Sequence, residues 1–473
     1  MELKYKFKKL FALSVFVFML GSALGFTNME ASAEEYVITD EVQSEEVEIA
    51  VADCDYMSEF IYQQGGLASP EDYAVATMSF DEETSAGDIE GAKDKLLGGM
   101  ENMEEEVDLS DYHVSTNEIT TVVAGVLNEN PNLFYATPQT ISYDENTQLV
   151  QSVVVTYDTA SASIYEEALQ AAYDEAITDP FGMNDLQKAR ALHDWIVQHV
   201  SYDHSLSNYD AYDAIVSRSA VCQGYTLAYA ALLEKAGIEF DYCRSSAMNH
   251  IWNYVKIDGN WYHVDTTWDD PSWGSGGDDR TGYVRHTFFL NSDTKIQQPA
   301  SGSTDTHHSW TGTKTCSSTT YDNAWWQDEV SAIFVIDGKE YYLRLTSQSY
   351  KIQLICRTGN TEKVLYTKSA KWYVWGKSSY YYTTYSTLSY FRGRLYFNDP
   401  LNLYVICPGD TTPYILYTYK GGEGYLYGSL VCDNGETYDS STFAYMTLLV
   451  TKNTDGLGEP YYWTLSAEAI ENA

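Results

Sequence analysis

Basic residues are scarce in this chain of 473 residues: 28 Lys and Arg stand against 68 Asp and Glu, for a formal net charge of −40. Proteins that bind nucleic acids need positive surface to neutralise phosphates, so this balance excludes a general nucleic-acid binder. With 44% hydrophobic and 20% charged residues, the chain can still bury substantial cores and is not a disordered protein. Its length predicts two or three domains.

Cysteine pairs with zinc-binding spacing are also lacking. The seven cysteines contain no C-x-x-C pair, so a zinc ribbon is unsupported, and we predict no metal or cofactor. An odd cysteine count in an exported protein indicates an intermolecular bridge or one reactive thiol, for which Cys222 is the candidate. The other six are spaced too irregularly for a disulfide framework, so we expect simple thiols, although three disulfides in fifteen arrangements stay open: Cys54, Cys243, Cys316, Cys356, Cys407 and Cys432.

Long apolar runs are absent except at the amino terminus. Four lysines precede the apolar residues 10–26, and Ala31-Ser32-Ala33 follows, which is the layout of a secretory signal peptide over residues 1–33. We therefore expect an extracellular protein, secreted or at the cell surface, that begins at Glu34. A retained membrane anchor is the alternative, which the glycines within the run disfavour. No transmembrane segment is predicted after signal removal.

Between the signal peptide and residue 180 we predict two regions. Residues 34–92 contain no Lys or Arg, and residues 34–55 are predicted to be a disordered acidic leader. Residues 56–180 show helical patterns that flank two strand candidates, 140–143 and 149–157, and so predict an α+β accessory region.

The last third of the chain is rich in tyrosine. Of the 42 tyrosines, 22 fall in the final 153 residues, in alternating runs that predict a separate all-β domain over residues 320–473. Exposed tyrosines could stack on the sugars of a cell wall or glycan. The favoured alternative is that tyrosine fills half-buried sheet faces.

The central region, residues 181–315, contains the residues with catalytic potential. Catalysis by sulfur needs a thiolate, an imidazole that moves its proton, and an acceptor that fixes the imidazole tautomer. Cys222 lies at the start of a predicted helix, where unpaired amides and the helix dipole favour an anion. A preceding helix is predicted over residues 186–200, capped by Asn184 or Asp185.

Two strand candidates, residues 249–257 and 260–268, are joined by Asp258-Gly259, a strong signal for a two-residue hairpin turn. Closing the hairpin at Ile257 and Asn260 places His250 opposite Thr267 and makes Asp265 a diagonal neighbour of His250 on one face. A three-residue loop would move Asp265 to the other face. The sequence thus predicts that Cys222, His250 and Asp265 form a catalytic triad.

The stretch from residue 189 to 271 resembles the transglutaminase-like superfamily, whose core is a papain-related fold. The resemblance lies in Leu192-His193-Asp194-Trp195-Ile196, Ala220-Val221-Cys222-Gln223-Gly224-Tyr225, His250-Ile251-Trp252-Asn253 and Gly259-Asn260-Trp261-Tyr262-His263-Val264-Asp265-Thr266-Thr267-Trp268. It implies Cys222 as nucleophile, His250 as general acid/base and Asp265 as its partner. Residues 130–135 and the acidic leader resemble secreted bacterial members. The spacings, 28 residues from Cys222 to His250 and 15 to Asp265, are similar to compact microbial members and argue against animal-type calcium control.

The complete fold prediction is α+β: a papain-like transglutaminase core with the helix-borne cysteine packed on an antiparallel sheet, between the accessory region and the Tyr-rich domain. Candidate oxyanion donors are the Cys222 backbone, Tyr212 and Gln223. The acidic residues Asp269, Asp270, Asp278 and Asp279 match no calcium loop and are expected to form a solvated loop. Seven other histidines are expected at the surface or in packing: His193, His199, His204, His263, His286, His307 and His308.

We therefore expect a secreted thiol enzyme that attacks amide bonds of a protein or peptide substrate through a thioester on Cys222. Water as acceptor would make it a peptidase or amidase, and an amine would make it a protein-glutamine acyltransferase. Hydrolysis is slightly favoured because no second substrate module is evident. The alternative is a catalytically silent cell-surface protein that uses the core as scaffold and the Tyr-rich domain to bind glycan or protein.

Overall fold

The computed structural model describes residues 44–48, 87–271, 282–298, 308–346, 349–373, 378, 385–420, 425–438, 441–451 and 459–465. The signal peptide and most of the acidic leader lie outside these residues. The chain divides into two compact units, one up to Ile164 and one from Tyr165 onward. The domain limits near residues 55, 180 and 320 stay predictions.

The described residues of the first unit form a four-stranded sheet and two helices that lie wholly within it. Its elements are β1 Ser44–Glu48, α1 Ile89–Glu101, β2 Glu106–Asp108, α2 Ile119–Glu129, β3 Ala136–Asp144 and β4 Leu149–Tyr157, with sheet order β1-β3-β4-β2. Apolar side chains of both helices and of β2, β3 and β4 form one core. The predicted strands around Asp144 are confirmed, and α2 ends before Pro131 as expected.

Strand β1 falls within the segment predicted to be disordered. It pairs antiparallel with β3, from Ser44 opposite Asp144 to Glu48 opposite Thr140. This part of the leader is therefore ordered through backbone pairing with a distant strand, which composition alone does not indicate.

The second unit begins within the next helix and contains the central region. Its elements are α3 Thr159–Ala176, α4 Asp185–His199, β5 Ser201–Tyr202, β6 Ser219–Ala220, α5 Cys222–Lys235, β7 Phe240–Ser245, β8 His250–Ile257, β9 Asn260–Val264, α6 Thr266–Asp269, β10 Phe289–Asn291 and α7 Asp293–Ile296. Strands β10, β9, β8 and β7 form an antiparallel sheet in that order. Helix α4 starts with a capping box between Asn184 and Gln187, as its sequence predicts.

Helix α5 is fastened to the middle of this sheet. The Thr226 hydroxyl donates to the carbonyl of Ile251 at 3.0 Å, and the Asn253 amide donates to the carbonyl of Thr226 at 3.1 Å. Both contacts join α5 to β8, so the cysteine at the helix start is held against the hairpin. The predicted α+β core, with a helix-borne cysteine on an antiparallel sheet, is confirmed.

The rest of the second unit is built from strands. They are β11 Phe334–Ile336, β12 Lys339–Thr346, β13 Lys351–Thr358, β14 Thr361–Ser369, β15 Leu388–Phe391, β16 Arg394–Asn398, β17 Asn402–Ile406, β18 Tyr414–Thr418, β19 Tyr425–Tyr438, β20 Ser441–Thr451 and β21 Glu459–Leu465. These form antiparallel sheets of four, four and three strands, so the all-β character is confirmed.

Several tyrosines pack inside these sheets. Tyr341, Tyr342, Tyr396, Tyr404 and Tyr427 are buried. They support the alternative in which tyrosine fills sheet faces, while glycan binding stays a prediction. Among the described residues, we find no helix with the length and apolar character needed to cross a bilayer.

Candidate active site

Cys222 is the first residue of α5 and is buried, with 2% of its surface exposed. Val221 precedes it in extended conformation. Its side chain cannot accept a hydrogen bond, so it does not cap the first backbone N–H groups of the helix. A Cβ at Gly224 would lie 2.5 Å from the Cβ of Ala220 and 2.9 Å from the carbonyl oxygen of Asp210. Only glycine therefore lets this helix start approach the preceding loop so closely.

The hairpin that carries the other two candidate residues has the predicted register. Ile257 pairs with Asn260, and Asn253 pairs with Val264. His250 and Asp265 are brought together, with His250 Nε2 at 2.6 Å from Asp265 Oδ2. The expected pairing of His250 with Thr267 is wrong, because β9 ends at Val264 and Thr266–Asp269 form the short helix α6.

Asp265 is a fully buried carboxylate with three donors. One oxygen, Oδ2, accepts from His250 and also from His308 Nε2 at 2.8 Å. The other oxygen accepts from the backbone N–H of Trp268 at 3.0 Å, so Asp265 is also the N-cap of α6. The carboxylate is therefore held in one orientation by both its oxygens.

His308 was expected at the surface or in packing, and the structure instead places it in the candidate site. It is 1% exposed, and its ring lies 4.3 Å from the Trp268 ring and 5.0 Å from the Phe288 ring, measured between centroids. Its Nδ1 has no hydrogen-bond partner among the described residues. Sequence reasoning missed it because nothing in its irregular surroundings relates it to the hairpin 43 residues upstream.

Two tryptophans enclose the His250 ring. Its centroid lies 5.5 Å from that of Trp252, in a stacked arrangement, and 5.7 Å from that of Trp268. Trp252 Nε1 donates to His263 Nδ1 at 3.0 Å, and His263 Nε2 contacts Asp293 at 3.0 Å. The ring of His250 is thus confined by packing, and Trp252 is itself fixed by a buried hydrogen-bond chain.

The protonation of His250 follows from its neighbours. Burial alone lowers the pKa of His250, but the charge of Asp265 and hydrogen bonds with Asp265 and the Cys222 thiol outweigh it and raise that pKa to about 10. Burial alone raises the pKa of Asp265, yet the charge of His250 and hydrogen bonds from His250 and His308 bring it well below its ordinary value. Because Nε2 of His250 is engaged by Asp265, Nδ1 is the atom that faces sulfur. The pair is therefore an imidazolium and a carboxylate at neutral pH.

A second buried cluster lies at the far end of α6. His193 contacts Asp194 at 2.9 Å and Asp269 at 3.2 Å, and His286 contacts Asp194 at 2.9 Å. Surface positions for His193 and His286 are therefore excluded, and the expected solvation of Asp269 is wrong, because all four residues are buried. Asp269 is the last residue of α6, the helix that Asp265 caps, and its hydrogen bond with His193 places it in this cluster. Asp278, Asp279 and His307 lie outside the described residues.

The oxyanion candidates occupy different surroundings. The backbone N–H of Cys222 lies at the open helix start, where an N–H has no partner within the helix. Gln223 is 5% exposed, and its Oε1 has no hydrogen-bond partner among the described residues. Tyr212 is half-buried just before the π-helical turn Asp213–Ser217.

The remaining described cysteines are thiols, as expected. Cys243, Cys316, Cys356, Cys407 and Cys432 form no disulfide, and Cys54 lies outside the described residues. Cys243 and Cys316 are wholly buried, and desolvation raises the pKa of both thiols. Neither therefore competes with Cys222 as a reactive sulfur.

Comparison with known proteins is consistent with this geometry. The family model of the transglutaminase-like superfamily matches residues 172–266, which include Cys222, His250 and Asp265. Kyphoscoliosis peptidase of Mus musculus is 25% identical over 166 residues, or 30% of this chain, and the match spans only 24% of that peptidase.

Two solved structures are similar to parts of this chain. One, from Cytophaga hutchinsonii and provisionally assigned as a cysteine protease, is 20% identical and covers 28% of this chain and 61% of its own, with a TM-score of 0.19. The other, a TGase, is 14% identical and covers 35% of this chain and 50% of its own, with a TM-score of 0.19. Residues 172–266 of this chain thus match a domain of the transglutaminase-like superfamily.

Proposed function

We propose that this protein is an exported thiol hydrolase that cleaves amide bonds of protein or peptide substrates through Cys222, His250 and Asp265. One observation carries the proposal: a single imidazole contacts a sulfur at a helix start and, through Nε2 at 2.6 Å, a buried carboxylate. That is the arrangement a sulfur nucleophile needs.

The proposed reaction has two steps. Cys222 Sγ bonds to the carbonyl carbon, the C–N bond breaks, and His250 gives its Nδ1 proton to the leaving amine. Water then attacks the thioester and gives a proton to His250, and the C–S bond breaks, which releases the acid and restores the pair. The N–H of Cys222 donates to the oxyanion in both steps.

Water is proposed as the acyl acceptor rather than an amine. The curated relative named above is a peptidase, and the sequence shows no second substrate module. Export is proposed from the amino-terminal apolar run and the Ala31-Ser32-Ala33 site.

The reaction is tested by mass spectrometry of a defined peptide that contains glutamine and lysine, incubated with the chain from Glu34 onward. Cleavage, or deamidation of glutamine, supports hydrolysis, and both should disappear in Cys222→Ala. A product dominated by isopeptide bonds would overturn water as the acceptor. If no peptide in a varied set gave a thiol-dependent product, the proposal that this protein is an enzyme would be overturned.

The pH dependence should reveal the raised pKa of His250. Because His250 keeps its proton up to about pH 10, we expect kcat/KM to hold its plateau through neutral pH and to fall only as pH approaches that value. A fall centred near pH 6.5, where an ordinary histidine loses its proton, would contradict the ion pair.

The raised pKa of His250 also predicts how the stability of the fold depends on pH. A histidine whose folded pKa lies above its unfolded value stabilises the fold below about pH 6.5, and this stabilisation is lost as pH rises through about 10. The difference in unfolding free energy between the parent chain and His250→Ala, from urea titrations, should therefore shrink between these pH values. A difference in unfolding free energy that stays constant over this pH range would contradict the raised pKa of His250.

His308 is expected to act as a positioning residue. His308→Ala removes one donor from Asp265 Oδ2 and should lower kcat by about 10- to 100-fold, the value of a hydrogen bond to a charged group. The carboxylate then interacts more strongly with His250, so the basic limb of the pH profile should move upward. His308→Gln retains an N–H donor and should restore most of kcat and the parent profile. Equal loss in both variants would indicate packing alone.

A further inference from the structure

A cluster of three potential metal ligands lies outside the candidate active site. Glu175 is near the end of α3, His199 is the last residue of α4, and Cys432 lies in β19. One oxygen, one nitrogen and one sulfur of these side chains lie within 4.8 Å of one another. Neither the proposed reaction nor the core packing gives this grouping a role.

The hydrogen bonding of His199 leaves one ring nitrogen available to bind a metal. Its Nδ1 donates to the carbonyl of Trp195 at 2.8 Å, which leaves the lone pair on Nε2. The side chain is 8% exposed, and Nε2 is buried without a hydrogen-bond partner among the described residues. Metal-bound histidines show this same pattern, with the other ring nitrogen donating to a carbonyl.

The distance between Glu175 and His199 fits two ligands of one ion better than a hydrogen bond between them. Its Oε2 lies 3.7 Å from His199 Nε2, beyond hydrogen-bond distance, and accepts from Trp195 Nε1 at 2.9 Å. Two ligands about 2.0 to 2.2 Å from a tetrahedral ion lie roughly 3.3 to 3.6 Å apart. Trp195 therefore orients both ligands, one through its carbonyl and one through its indole.

A small cavity borders the cluster. It has a volume of about 20 Å³ and is lined by Glu175, His199, Ser389 and Val431, among others. This is enough for one water molecule, which needs about 10 to 15 Å³. A water could therefore complete a four-ligand site.

We propose that Glu175, His199 and Cys432 bind a divalent metal of the zinc type, with a water as fourth ligand. Carboxylate, imidazole and thiolate are the donors that zinc takes in proteins. Binding replaces the thiol proton of Cys432, which is released to solvent. The ion would fasten β19 to α3 and α4, so its role is structural and independent of the proposed catalysis.

Arg218 limits the affinity of this site. Its guanidinium lies 4.2 Å from the centroid of the Trp195 ring, and it interacts electrostatically with Glu175 and Cys432. The positive charge favours the anionic forms of both ligands but opposes a cation.

The test uses the full chain from Glu34 with Cys222→Ala, so that the nucleophile cannot bind metal. Zinc is titrated by competition with a chromophoric chelator, and cobalt is added to detect thiolate-to-metal charge transfer. We expect one zinc equivalent whose affinity falls about 10- to 100-fold in Cys432→Ser and in His199→Gln. Cys407→Ser, at an exposed thiol, is the matched control and should bind as the parent does.

Thermal unfolding with and without zinc provides a second readout. Zinc should raise the Tm of the parent and of Cys407→Ser, but not that of Cys432→Ser. Unchanged zinc affinity in both Cys432→Ser and His199→Gln, or a cobalt spectrum without a thiolate band, would overturn the proposal. Neither result bears on Cys222, so failure here is distinguishable from failure of the proposed hydrolase.

Discussion

Replacing Cys222 with Ala is expected to reduce amide cleavage by at least about 10⁴-fold, because no other group can form the thioester. The variant should remain folded, since the Thr226 hydroxyl rather than the sulfur joins the first turns of α5 to β8. Circular dichroism and a urea titration check the fold, and single-turnover assays check the rate.

The control for this experiment is Cys407→Ser, which removes an exposed thiol and should leave the rate within about twofold of the parent. Activity that survived in Cys222→Ala would show that another residue is the nucleophile. Activity lost equally in both variants would show a general dependence on thiols rather than one catalytic sulfur.

Asp265→Asn should have the second largest effect, lowering kcat by about 10³- to 10⁴-fold. The native carboxylate accepts three hydrogen bonds, from His250, His308 and Trp268. An asparagine that keeps the Trp268 bond must turn its NH₂ toward both histidines. His250 then loses its anionic partner, and the basic limb of the pH profile should move down from about 10.

The matched control is Asp293→Asn, at another histidine–aspartate pair, in which His263 is buried and Asp293 is partly exposed. It should lower kcat by less than about 10-fold, because Asp293 reaches His250 indirectly, through His263 and Trp252. If the two variants lost activity equally, Asp265 would be no more than one of several structural aspartates. Pre-steady-state rates separate the chemical step from binding.

The site residues whose positions could be predicted from the sequence are those determined by short-range signals, such as a turn dipeptide or the start of a helix. Asp258-Gly259 determines the hairpin turn, the turn determines the register, and the register brings Asp265 beside His250. The start of α5 at Cys222 could be predicted because helix periodicity begins there. These local signals act over a few residues, so one sequence is enough to interpret them.

The residues that could not be placed depend on distant contacts. Residues 260–268 are predicted to form one strand, yet Asp265 caps Thr266–Asp269 as a helix because its carboxylate accepts from the Trp268 amide. His308 reaches Asp265 from a separate segment of irregular structure, and no periodicity relates the two. Likewise β1 forms only because β3 offers it a free edge. Tertiary contacts decide these cases over local preference.

The rate at which iodoacetamide alkylates each cysteine at pH 6, measured by peptide mass spectrometry, tests the central claim most directly. Cys407 is exposed and provides an internal reference within the same chain, whereas Cys222 is buried. We expect Cys222 to react at least about 10-fold faster than Cys407, because the His250 ring interacts with its sulfur, and to lose this advantage in His250→Ala. Alkylation of Cys222 no faster than that of Cys407 would contradict an activated nucleophile at the start of α5.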